Sequence, residues 1–134
     1  MPLARIRSYL DRYLNIKGVK DWPNACNGLQ IENSGPVTKI GAAVDGCEYS
    51  LRAAAERGVN LLLVHHGLFW KGVQPLEGAA FRKIKTALDH DLAVYSAHLP
   101  LDLHPVVGNN AVLCSALGFK KTAPSFLKKT SISA

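Results

Sequence analysis

The sequence predicts an α/β fold, a parallel-rich sheet with helices on both faces around a βαβαβ core. Three observations carry that reading: near-continuous apolar runs at 39–44, 60–64 and 92–96, helix-periodic stretches between them, and turn residues at the joins. A strand covered on both faces loses the alternation of a half-exposed strand and reads as unbroken Val, Ile, Leu and Ala. Strands separated by helices pair in parallel, through right-handed crossovers.

Taken in order, residues 3–15 place Leu3, Ile6, Leu10 and Leu14 three and four apart, which predicts an amphipathic helix. A loop with Gly18, Pro23, Asn24, Asn27 and Gly28 follows, and residues 28–32 read as a short strand. Lys39–Val44 reads as a buried strand ending at Asp45-Gly46, with Asp45 as a turn residue or helix cap. Glu48–Arg57 presents Leu51, Ala54 and Ala55 on one side and stops at Gly58, a helix with a glycine C-cap. Asn60–Val64 is the next strand, Ala80–His90 the next helix, and Leu92–Ser96 the third buried strand. Asn110–Leu117 reads as a helix capped by Asn109 and stopped by Gly118. The chain thus divides into a domain over 1–119 and a basic, Ser/Thr-rich tail over 120–134.

Composition narrows the function. A chain of 134 residues buries roughly two-thirds of its unfolded surface as one domain. No apolar run approaches the ~18 residues of a membrane span, and the N-terminus mixes charges at helical spacing, unlike a signal peptide. Three cysteines without CxxC spacing, Cys26, Cys47 and Cys114, suit a reducing cytosol, so a cytoplasmic protein with structural thiols is expected. The net charge of +6 suggests nucleic acid, but Lys120, Lys121, Lys128 and Lys129 lie in a tail without acids. Without that tail, 12 basic residues face 10 acidic ones, so nucleic acid is not the expected partner. No GxGxxG or GxxxxGK[ST] motif occurs.

The candidate chemistry sits at the carboxyl ends of the strands, where open α/β sheets bind ligands. His65 and His66 end the second buried strand, His98 follows the third, and Asp102 and His104 lie in the next loop. Imidazole suits zinc, iron, manganese and nickel. Adjacent strand residues face opposite ways, so His65 and His66 are expected to diverge, with Gly67 letting the backbone turn, toward two ions a few ångströms apart. Asp102 supplies a carboxylate able to bridge them. His98 either binds directly or supports a ligand by hydrogen bond; His104 either supports the site or bonds to backbone. Pro100 and Pro105 predict a stiff, non-helical loop over 98–102. Trp70 either lines a pocket or packs a loop.

These motifs resemble the Nif-three-like dinuclear metal-centre family, whose bacterial members are often described as GTP cyclohydrolase I type 2 homologues. The resemblance covers about residues 5–119 and rests on Asn27-Gly28-Leu29-Gln30, on Val64-His65-His66-Gly67 with Phe69-Trp70-Lys71-Gly72, and on His98-Leu99-Pro100-Leu101-Asp102, His104-Pro105 and Gly108-Asn109-Asn110-Ala111. It implies two divalent ions (zinc, iron or manganese) held by His65, His66 and Asp102, with His98 and His104 supporting those ligands. It also implies a ring-shaped homo-oligomer, a nucleotide-like small substrate and hydrolysis by a metal-bound hydroxide.

The family carries a second α/β half whose histidine and glutamate complete the site. Residues 119–134 contain neither His nor Glu. The chain is therefore expected to be the first half of a duplicated two-lobed fold, truncated or partnered by a separately encoded C-terminal half. The alternative function is a non-catalytic remnant or interaction module with an incomplete metal site.

Overall fold

Leu61, Leu62, Val64, Ala93 and Val94 are all shielded from solvent, and they form the centre of a four-stranded sheet. The computed structural model describes residues 1–119. Its elements run α1 (Leu3–Tyr13), β1 (Gly28–Ile31), β2 (Ile40–Asp45), α2 (Glu48–Glu56), β3 (Leu61–His66), α3 (Gly78–Asp89), β4 (Ala93–Ser96), α4 (Leu99–Asp102) and α5 (Asn109–Ala116). The strand order is β1-β4-β3-β2. β3 pairs in parallel with both β2 and β4, which is the expected parallel-rich βαβαβ arrangement, while β1 runs antiparallel to β4.

The main core lies on one face of the sheet. Leu62 and Val64 of β3 and Val94 of β4 pack with Leu51 and Ala54 of α2 and Ala87 of α3. Alternation along β4 sends Tyr95 to the opposite face. There its hydroxyl donates to Asp11 Oδ1 of α1 at 2.8 Å, and Arg7 pairs with the second Asp11 oxygen at 3.5 Å. Burial, then the hydrogen bond to Asp11, push the Tyr95 phenol far above its usual range. Helices therefore stand on both faces of the sheet, but β2 is not the buried strand that its apolar run predicts: it is an edge strand, paired on one side only, and Ile40 and Val44 are exposed.

Two further local expectations are corrected. Pro100 predicts a non-helical stretch over 98–102, but Leu99–Asp102 forms one helical turn. Proline is tolerated in a first turn, where its missing N–H has no intrahelical acceptor to lose. Asn109 is not the cap of α5. Gly108 occupies that position without a side-chain cap, and Asn109 Nδ2 instead donates to Asp102 Oδ1 at 2.9 Å. A Cβ at Gly108 would meet the backbone carbonyls of His104 and Leu101, so the turn requires glycine.

The chain separates into two compact units, Met1–Pro100 and Leu101–Ala134. The expected basic tail, 120–134, lies outside the described residues. No helix among the described residues is long and apolar enough to cross a membrane.

Candidate metal centre

The parallel pairing of β2 and β3 sets Asp45 beside His66, and that of β3 and β4 sets Val64 beside Ser96. This register brings the tips of three strands to one edge of the sheet. There His65, His66 and His98 converge, each partly buried, with one ring nitrogen from each within 4.8 Å of the others. The ring centroids lie 4.6 Å apart for His65 and His66, 4.9 Å for His65 and His98, and 5.6 Å for His66 and His98. The adjacent pair therefore does not end on opposite faces of the sheet: both rings stand in one cluster with His98.

Each ring is held by an oxygen at Nδ1. His65 Nδ1 lies 3.1 Å from the Ala97 carbonyl, His66 Nδ1 2.7 Å from Asp45 Oδ1, and His98 Nδ1 3.0 Å from Asp21 Oδ1. A carbonyl or carboxylate oxygen can only accept, so all three imidazoles donate from Nδ1. In the neutral ring the lone pair then resides on Nε2. That pattern is the one metal-binding histidines adopt, an outer oxygen fixing the tautomer and the orientation of the ligating nitrogen. Asp45 is accordingly neither turn nor cap; it ends β2 and orients His66.

The third orienting group, Asp21, carries no periodic signal in the sequence. Its side chain is 5% exposed and accepts from His98 Nδ1, from Asn27 Nδ2 at 2.7 Å, and from the backbone N–H of Trp22 at 2.7 Å and Leu99 at 3.0 Å. Asn27 Oδ1 accepts the His98 N–H at 2.7 Å, so the pair fixes both backbone and ring of that residue. Burial pushes the Asp21 carboxyl up, but the hydrogen bonds from Asn27, His98, Trp22 and Leu99 together hold it below its usual value.

Gln30 plays a comparable part on the other side. Its Oε1 accepts from Leu68 N at 2.7 Å and its Nε2 donates to the Cys26 carbonyl at 3.0 Å, tying the loop after His66 to the loop before β1. A Cβ at Gly67 would collide with the Gln30 amide. The NGLQ and HHG segments are thus two halves of one joint.

Asp21→Asn is expected to lower zinc affinity by about 10–100-fold, as loss of an outer hydrogen-bond partner does. An amide NH2 at that position would oppose at least one of the donors now facing the carboxylate. Chelator competition checks it, and affinity equal to that of the parent protein would remove Asp21 from the site.

Asp102 belongs to the second unit, where its Oδ1 accepts from Asn109. In the same unit His104 Nδ1 accepts from the backbone N–H of Val106 at 3.2 Å and Val107 at 3.1 Å, which stabilises its own loop. Trp70 stands edge-on to His98, ring centroids 4.7 Å apart at 83°, and lines a pocket with Trp22, Pro23, Asn24, His66 and His98. Its indole nitrogen is buried and has no hydrogen-bond partner among the described residues. The cysteines are free. Cys47 is exposed at the N-cap of α2, where the Ser50 side chain and backbone lower its thiol pKa.

A parallel-rich α/β sheet with three oriented imidazoles at its carboxyl edge presents the donor type that transition metals take. The chain belongs to the family Duf34/NIF3 (NGG1p interacting factor 3), whose model matches residues 1–132. It is 42% identical to a Treponema pallidum protein named GTP cyclohydrolase 1 type 2 homolog, over 98% of this chain and 47% of that protein. The Escherichia coli protein of the same name is 39% identical over 88% of this chain and 47% of its own length. Among solved structures, TTHA1606 from Thermus thermophilus superposes with a TM-score of 0.88 at 43% identity, covering 93% of this chain and 51% of that one. Reduced HcgD from Methanocaldococcus jannaschii shares the fold, with a TM-score of 0.81 at 24% identity over 92% of this chain and 50% of that one. The chain spans about half the length of the curated relatives it matches.

Proposed function

We propose that this protein binds divalent metal ions through His65, His66 and Asp102, with His98 beside the histidine pair, and derives from a metal-dependent hydrolase of the GTP cyclohydrolase I type 2 kind. The observation that carries the reading is the shared orientation of the three imidazoles, each giving its Nδ1 proton to an oxygen and keeping the Nε2 lone pair. Zinc, iron or manganese matches these donors. A held divalent ion supplies Lewis acidity and brings the pKa of a water toward ~7. The protein's own part is to hold the imidazoles in one tautomer, through Asp45, the Ala97 carbonyl and Asp21, so that no reorganisation accompanies binding. The relatives' names support a small nucleotide-like substrate, and a homo-oligomer or a second polypeptide segment is the proposed source of further ligands.

A second reading is an interaction module with an incomplete metal site. It is favoured by the ligand count, because His65, His66, His98 and Asp102 divided between two ions leave each with fewer than the three protein ligands a catalytic zinc keeps.

Metal analysis of the purified protein separates the two. About two tightly held ions per chain, reduced in His65→Ala and in Asp102→Ala, with formate release from GTP when metal is present, is the result expected of a hydrolase site. A metal-free protein indifferent to added zinc and manganese would favour the interaction module.

A further inference from the structure

The sequence contains two tryptophans, Trp22 and Trp70, and both line one pocket beside the imidazole cluster. The pocket holds about 580 Å³ and its other lining residues are Pro23, Asn24, His66 and His98. Such a volume suits a small organic ligand. Among the described residues, none of those lining it carries a Lys, Arg, Asp or Glu side chain. Its walls are aromatic and apolar, with one neutral amide, so they favour a flat ring over a phosphate.

Trp22 is 67% exposed, a large indole face left in water. The loop that carries it is nevertheless tied down. Trp22 N donates to Asp21 Oδ1 at 2.7 Å, the Trp22 carbonyl accepts from Ala25 N at 3.0 Å, and Pro23 restricts the backbone between them. Asp21 is also the carboxylate that holds His98. One buried group therefore sets both the aromatic platform and a ligating ring, which gives the platform a fixed relation to the cluster. Trp70 is fixed on the same side by edge contacts to His98 and, with centroids 6.0 Å apart, to His66.

We infer that this pocket binds a planar heteroaromatic ring of the nucleobase class, stacked on Trp22 with Trp70 as its second wall, next to His66 and His98. The placement of that ring against a metal rests on the metal-site reading above; the stacking does not. Exposed aromatic faces bind bases by stacking whatever the base's hydrogen-bonding pattern, so adenosine and guanosine bind alike.

Because both tryptophans belong to the pocket, intrinsic fluorescence of the whole chain reports on it directly. The protein, with and without zinc, is titrated with adenosine, guanosine, ribose 5-phosphate and cyclohexanol, the last apolar but not flat. Saturable quenching by both nucleosides is expected, with none by the sugar phosphate or the alcohol. In Trp22→Ala, nucleoside affinity followed by Trp70 emission is expected to fall by about 5- to 100-fold. The exposed position of Trp22 leaves the core intact, and unchanged circular dichroism verifies that. Nucleosides that do not quench, an equal response to cyclohexanol, or unchanged affinity in Trp22→Ala overturns the proposal. Zinc binding without any nucleoside response overturns the ring site alone and leaves the metal reading standing. Nucleoside quenching in a chain that binds no zinc upholds the stacking site and removes the metal reading.

Discussion

Zinc affinity is expected to fall on the order of a hundredfold or more when His98 is replaced by alanine. Structural zinc sites release roughly 10–16 kcal/mol across four ligands, about 3 kcal/mol for each, and a 1.4 kcal/mol loss is about tenfold. His98 offers Nε2 on the same terms as His65 and His66, since all three are oriented from Nδ1. The main-chain bond from His98 N to Asn27 Oδ1 survives the substitution, so the strand tip keeps its position. Competition against a chelator of known affinity measures the change. The comparison with Asp21→Asn is informative, because that variant leaves the imidazole in place. If His98 only supports another ligand, its removal should weaken zinc no more than the loss of Asp21 does.

The second large effect is on stability. Leu51→Ala is expected to cost about 2–5 kcal/mol, the range for deleting a buried leucine and leaving part of its cavity unfilled. Leu51 is 0% exposed and joins α2 to Leu62, Val64 and Val94 on the covered face of the sheet. Ala54 and Ala87 beside it are too short to swing into the space. The shift in urea midpoint, at constant slope, measures the loss. Val73→Ala is the internal comparison: Val73 is fully exposed, and its removal should change stability by less than about 0.5 kcal/mol. A Leu51 variant as stable as the Val73 variant would place the core elsewhere.

The βαβαβ order, and the edge of the sheet where chemistry could gather, were readable from local residue patterns. Apolar runs at 60–64 and 92–96 can be buried only at the centre of a covered sheet, and whatever follows them must emerge at its carboxyl edge. His65, His66 and His98 were legible for that reason. Their mutual orientation was not. Asp21 and Asn27 reach His98 across 77 and 71 residues of chain, and Gln30 reaches Leu68 across 38. All three partners lie in or beside an irregular loop, where no repeat of 2 or 3.6 residues reveals which way a side chain points. Asp45 read as a turn residue because its neighbour is glycine; only the parallel register with His66 made it an orienting carboxylate. Trp22 left no mark on periodicity either, and its place beside Trp70 follows from the loop that Asp21 holds. Local sequence sets where strands begin and end, through burial and backbone preference. Which hydrogen bonds then aim three imidazoles at one point depends on groups far apart in the chain, and the folded sheet alone brings those together.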